Sequence, residues 1–206
     1  MKILIGTPIH AKKNYAMERW LANVAKLQKK FPADLLLVDN TPGMEYVEKV
    51  KGYLAKNGIT NYKIEHLELH PWTEPDERIS RSREIIRQHV LNHSYDAWFS
   101  WESDQIIPPN TLGILARIMA AGNYMLIHPS SWSREVPAVP DVSFGVCLIN
   151  RAPLEKFGFL LEFGLEPGMR KAWNNSDVWF KKQVLKAGGS YIEVYGLIKP
   201  IYHLDK

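Results

Sequence analysis

The chain has 206 residues, and at roughly 150 residues per domain that length favours one sizeable core over two. Hydrophobic residues make up 46% and charged residues 23%, globular proportions that exclude a disordered tail or a fibrous repeat. The single cysteine, Cys147, excludes an intramolecular disulfide and a Cys-based zinc site and fits a reducing compartment. The formal charge of +4 is spread without any Lys/Arg block longer than a pair. Such a balance suits an anionic small ligand or an acidic membrane surface better than nucleic acid.

No stretch approaches the ~20 apolar residues of a membrane span. The apolar run before His10 is too short for the core of a signal peptide. The expectation is a cytoplasmic protein, with peripheral membrane contact left open.

Ile3 to Ile5 reads as a buried first strand, ended at Thr7-Pro8. Trp20, Val24 and Leu27 lie at helical spacing within residues 15–30, and Lys26, Lys29 and Lys30 sit where cations favour the helix dipole. Leu35 to Val38 is an unbroken apolar run, as in a parallel strand covered on both faces. It runs into the turn cluster Asp39-Asn40-Thr41-Pro42-Gly43. A helix over 45–56 ends at Asn57-Gly58, and 62–69 alternates as a strand. Pro71 to Asp76 reads as a loop, with Ser80 capping a helix over 81–92. Ala97 to Trp101 is the next strand, and Glu102-Ser103-Asp104 stands at its carboxyl end.

Pro108-Pro109 opens a helix that runs to Ala121 and stops at Gly122-Asn123. Residues 124–127 form a strand, and 129–142, with three prolines and no periodicity, form a long loop. A strand over 142–149 follows. Asn175 or Ser176 then caps a helix ending near Gly188-Gly189, and 191–194 is the last strand. This β-α-β-α order predicts an α/β domain with a mostly parallel central sheet flanked by helices. Ligands of such sheets bind outside the carboxyl ends of the strands. Asp39 and the Glu102/Asp104 pair therefore belong on one rim. Neither GxGxxG nor GxxxxGK[ST] occurs, so dinucleotide and P-loop sites lose their main support.

Glu102 and Asp104, one residue apart at a strand end, project to one side by strand alternation. Hard oxygen donors in such a pair suit Mg²⁺ or Mn²⁺ bridging substrate phosphates. His89 and His93 have the spacing of a helical metal pair but lack a third ligand. Trp72, Trp132 and Trp173 fall in loops or near a helix start, where ring faces can carry sugars. Arg134 lies in the 129–142 loop, which has the length of a lid able to exclude water.

In order along the chain stand ILIGTPIH, LLLVDNTPG, RISRSREIIRQ, AWFSWESDQIIPPNTL, FGVCLINRAPLEKFGF and NNSDVWFKKQVLKAGG. This series resembles a GT-A glycosyltransferase of the family 2 type over nearly the whole chain. The resemblance implies a single Rossmann-like domain with a nucleotide-binding half of about 1–105 and an acceptor-side half of about 106–206. It places Asp39 on the nucleoside; Thr7 and Pro8, from their position at the end of the first strand, either sit against the nucleoside or simply stop the strand. Of the family's Ala-Arg-Asn segment, Ser82-Arg83-Glu84 keeps only Arg83, a diphosphate contact. The Asp-x-Asp metal motif falls on Glu102-Ser103-Asp104, so Glu102 and Ser103 join the donor contacts and Asp104 is the metal ligand. His203 in PIYHLDK is the second metal ligand, and a neutral imidazole suits Mn²⁺ better than Mg²⁺. Ser176-Asp177 keeps only the Asp of a Glu-Asp pair, and Asp177 is the catalytic base.

The function so implied is metal-dependent, inverting transfer of a sugar from a nucleotide-sugar, with UDP the expected carrier. The acceptor would be a hydroxyl of a glycan, a lipid-linked molecule or a protein. A nucleotidyltransferase and a non-catalytic sugar- or nucleotide-binding module are the alternatives. Residues 7–13 carry no glycine, which speaks against the first; Glu102 and Ser176 depart from the family pattern, which keeps the second.

Overall fold

A computed structural model of the chain describes residues 1–129, 144–161 and 176–205. The elements run β1 (Ile3–Ile9), a 3-10 turn (Ala11–Lys13), α1 (Asn14–Lys30), β2 (Asp34–Asp39), α2 (Glu45–Lys56) and β3 (Tyr62–His66). They continue with α3 (Pro75–Asn92), β4 (Ala97–Trp101), β5 (Gln105–Ile106), α4 (Thr111–Gly122), β6 (Leu126–Pro129) and β7 (Val146–Asn150). The last are α5 (Arg151–Lys156), α6 (Ser176–Lys186), β8 (Tyr191–Val194) and β9 (Tyr202–His203). Seven strands form one sheet in the order β3-β2-β1-β4-β7-β6-β8, and β5 pairs with β9 in a second, two-stranded sheet. In the large sheet only β7 runs against its neighbours β4 and β6. The expected α/β class with a mostly parallel sheet is what the chain adopts.

Strand alternation sorts the core onto two faces. Ile3, Ile5 and Ile9 of β1 pack with Met17, Trp20 and Leu21 of α1, Val50 of α2 and Leu115 of α4. Leu4, on the opposite face, joins Trp98 of β4, Ile86 and Val90 of α3, Leu154 of α5 and Phe180 of α6. Covering both faces with helices is what lets β2 read as an uninterrupted apolar run. Gly6 has no room for a side chain, since a Cβ there would lie 2.3 Å from Ile86 Cγ2 and 2.6 Å from Trp98 Nε1. The close approach brings Trp98 Nε1 to 2.9 Å from the Gly6 carbonyl, to which it donates.

Several boundaries differ from expectation, among them the end of β3 at His66 rather than residue 69 and the unexpected short helix α5. Helix α3 begins at Pro75, a residue whose fixed φ suits the first turn, so Ser80 is an interior position rather than a cap. Its hydroxyl donates back to the Asp76 carbonyl at 2.8 Å. The strand expected over 124–127 is β6, shifted to Leu126–Pro129, and the chain end adds β9. By contrast, Gly58 closes α2 as the Asn57-Gly58 pair predicts: at φ +66 it donates to Ala55 O while Ile59 donates to Leu54 O.

Candidate functional site

Where the order of the sheet reverses, β1 has β2 on one side and β4 on the other, and a cleft of about 440 Å³ opens beyond their carboxyl ends. Its walls include Pro8 at the end of β1 and His10 just after it, Asn40 and Pro42 after β2, and Ser100 to Ser103 at the end of β4. Lys12 and Lys13 of the 3-10 turn and Arg78 and Arg83 of α3 bring four cationic side chains to it. His10 registers that field. Burial, followed by the charges of Lys12 and Arg78, holds its imidazole below the ordinary value, against the pull of Asp39.

Arg78 is buried, yet among the described residues its hydrogen-bond partners are all carbonyl oxygens. Nε donates to Thr73 O at 3.0 Å, Nη1 to Asn40 O at 2.9 Å, and Nη2 to His70 O at 2.8 Å and Pro71 O at 3.2 Å. Neutral acceptors orient a guanidinium without cancelling its charge. Arg83, one turn further along α3, donates from Nη1 to Ser176 Oγ at 3.0 Å and from Nη2 to Asp177 Oδ2 at 3.5 Å. Asp177 also accepts the backbone N–H of Phe144 at 3.1 Å and of Val178 at 3.0 Å. Burial pushes the Asp177 carboxyl up, but Arg83 and these N–H groups outweigh it and hold it below the ordinary aspartate value.

The Glu102/Asp104 pair does sit at one end of β4, and a lysine bridges it. Lys13 Nζ lies 3.1 Å from Asp104 Oδ1 and 3.5 Å from Glu102 Oε2, and Tyr15 donates to Asp104 Oδ2 at 3.2 Å. Desolvation opposes the charge on Lys13, but the two carboxylates win and raise its pKa. Ser103 Oγ is buried with no hydrogen-bond partner among the described residues. His203 stands opposite Gln105 across the β5–β9 pair, with its Nε2 2.7 Å from Gln105 Nε2, and Leu204 N donates to the Asp104 carbonyl at 2.7 Å. The donors suit a hard divalent ion in kind. As assembled they do not fit one: among the described residues no three His, Cys, Asp or Glu side chains gather closely enough to hold it.

Of the remaining expected donor contacts, Pro8 lines the cleft, whereas Thr7 is fully buried and donates to Trp101 O at 2.8 Å. Asp39 lies behind the wall rather than on it. Its Oδ1 accepts Thr41 Oγ1 at 2.7 Å and its Oδ2 lies 2.9 Å from His66 Nδ1, so Asn40 is the β2-end residue that faces the cleft. Trp72, at 85% exposure, stands beside the cleft-lining Pro71 and Thr73. His89 and His93 stack their rings 4.0 Å apart, a packing pair. Most of the 129–142 loop, with Trp132 and Arg134, lies outside the described residues, as does Trp173. Lys13, Asn40 and Arg78 were missed. No spacing signature marks them in the sequence: Lys13 closes the 3-10 turn after β1, and Arg78 stands in the polar first turns of α3.

No protein-family model matches the sequence, and no curated protein matches it by sequence. Solved structures do resemble it. A mannosyltransferase from Pyrobaculum calidifontis, in complex with GDP-Man and Mn²⁺, aligns over 95% of this chain at TM-score 0.70 and 10% identity, using 55% of its own length. S. aureus TarS 1–349 in complex with UDP aligns over 94% of this chain at TM-score 0.63 and 15% identity, using 61% of its length. TarS 1–349 in complex with UDP-GlcNAc aligns over 76% at TM-score 0.57 and 15% identity, using 47% of its length. This chain thus spans about half to three fifths of those structures. No helix among the described residues is long and apolar enough to cross a membrane. The fold is GT-A-like, as the strand-end motifs led one to expect.

Proposed function

We propose that this chain is a glycosyltransferase that moves a sugar from a nucleotide-sugar, with UDP as carrier, onto an acceptor hydroxyl with inversion. The observation that carries the reading is the cationic cleft at the β1/β4 switch point, in a fold shared with proteins solved with UDP, UDP-GlcNAc and GDP-Man. Among the described residues its lining falls between Pro8 and Ser103, which supports a donor half over about 1–105 and an acceptor half over 106–206 within one domain.

In this reading Pro8 and Asn40 flank the nucleoside, and Asp39 fixes the turn that presents Asn40. Arg78 and Arg83 face the diphosphate, where negative charge grows as the glycosidic bond breaks, and preorganised cations act most strongly there. The acceptor oxygen attacks the anomeric carbon, the bond to the diphosphate breaks, and the hydroxyl proton passes to Asp177. Arg83 keeps Asp177 ionised at neutral pH but also weakens it as a base, so the two act as a coupled pair. A positioned carboxylate contributes about 10²–10⁴-fold in such a step. Mn²⁺ or Mg²⁺ on Asp104 with His203 is a second reading, favoured by the Mn²⁺ in the Pyrobaculum complex. It requires Lys13 to withdraw.

Incubation with UDP-GlcNAc or GDP-Man and a panel of glycan, lipid-linked and peptide hydroxyl acceptors tests the proposal. Release of UDP or GDP, lowered by about 10²-fold or more in Asp177→Asn with donor affinity retained, is the expected result. Binding without release would leave a sugar- or nucleotide-binding module, and release of pyrophosphate from a nucleoside triphosphate would mean a nucleotidyltransferase.

A further inference from the structure

The carboxylate pair at the end of β4 already holds a cation, and it belongs to the chain. We propose that the Lys13 ammonium takes the place of a divalent ion at Glu102 and Asp104, so that the cleft binds the diphosphate of its donor without metal. The proposal rests on the nucleotide-sugar reading of the cleft.

Three features converge on it. Lys13 Nζ bridges the two carboxylates at 3.5 and 3.1 Å. A divalent ion at the same oxygens would sit against a like charge, and ammonium and metal therefore exclude one another. The lysine is held there by its backbone. The 3-10 turn begins under His10, whose Nδ1 accepts the Lys12 N–H at 3.0 Å, and closes with Lys13 N donating to His10 O at 2.9 Å. The cleft also brings its own surplus positive charge. Lys12 and Arg78 line it with no carboxylate paired to either among the described residues, while Arg83 is paired with Asp177. Lys12 and Arg78 oppose the negative charge of a bound diphosphate, and Lys13 offsets one of the two negative charges of the acidic pair beside it.

The experiment titrates UDP and GDP into the whole chain by calorimetry, with excess EDTA or with Mn²⁺, for the wild type, Lys13→Gln and Lys13→Arg. A parallel titration follows Mn²⁺ alone by electron paramagnetic resonance. The wild type is expected to bind the nucleotide equally well, to within about threefold, in EDTA and in Mn²⁺. Lys13→Gln should lose about tenfold or more in EDTA and recover with Mn²⁺, and Lys13→Arg should stay near the wild type. Mn²⁺ alone should be taken up by Lys13→Gln and not by the wild type. Wild-type binding that collapses in EDTA, or Lys13→Gln binding in EDTA like the wild type, would overturn the proposal. If neither nucleotide binds to any variant, it is the donor-cleft reading that fails. The Mn²⁺ titration then decides for Lys13, and uptake by the wild type, or by neither protein, would sink it.

Discussion

A buried guanidinium that donates only to carbonyl oxygens is oriented but not neutralised, and Arg78 is in that position with four such contacts. Taking an ion out of water without a counter-ion is costly, and an anion entering the cleft beside Arg78 would offset that cost. Arg78→Lys keeps the charge but cannot reproduce a planar fork reaching Thr73, Asn40, His70 and Pro71. We expect it to weaken UDP or GDP binding by about tenfold, measured calorimetrically, and to lower unfolding stability in urea by ~1–3 kcal/mol as carbonyls lose their donor. Unchanged nucleotide affinity with lowered stability would make Arg78 a strut for the 70–74 loop only. At this scale the acidic residues were legible because a carboxylate pair at a strand end has a spacing signature. Lys13 and Arg78 have none. A lone lysine or arginine in a sequence looks the same whether it is solvated or turned inward over a cleft, and only the fold tells the two apart.

At the scale of elements, strands were easier to place than the helix that floors the cleft. In β2 the apolar run Leu35 to Val38 needed no context. In α3 the buried positions near the site are Arg78, Ser80, Ser82 and Arg83, and apolar ones appear only at Ile86 and Val90. The inward stripe is therefore polar for its first turns, which hid the periodicity and delayed the expected start from Pro75 to residue 81. At the end of β3, which the alternation did place, His66 bridges Asp39 at 2.9 Å and Glu68 at 2.9 Å. The bond to Glu68 raises the His66 pKa most, burial opposes it, and Asp39 raises it further. A histidine whose native pKa exceeds its unfolded value of about 6.5 lends stability that is complete below that pH. The contribution fades as pH climbs through the raised native value. His66→Gln should thus lower the melting temperature most near pH 6 and least above pH 8, whereas a penalty independent of pH would show that His66 serves only by packing. Subtracting the mutant curve also removes the opposite contributions of His10 and His89, whose pKa values are lowered.

For the whole molecule, the order of β and α segments was sufficient to give the class, and hence the rim to search. Cross-sheet order was not, because pairing β4 with the antiparallel β7 depends on contacts between residues about fifty positions apart, such as Phe99 with Leu148. What that order produces is a switch point between β1 and β4 whose cleft is lined by Lys12, Lys13, Arg78 and Arg83. The charge is thus a property of position more than of composition, and its effect is measurable on the intact chain. A ligand bound only by the folded state stabilises it by RT ln(1 + [L]/Kd), about 2.7 kcal/mol at a hundredfold excess over Kd. For a chain of this size each kcal/mol moves the midpoint by about 2–4 °C, so UDP or GDP should raise it by roughly 5–10 °C. Charge recognition makes two further demands. The shift should shrink as salt is raised, because the cleft is open to solvent and screening reaches it. It should also be smaller for UMP than for UDP at equal concentration if, as proposed, Arg78 and Arg83 meet the second phosphate. A midpoint indifferent to UDP and GDP at every salt concentration would mean that the cations of this cleft serve the fold alone.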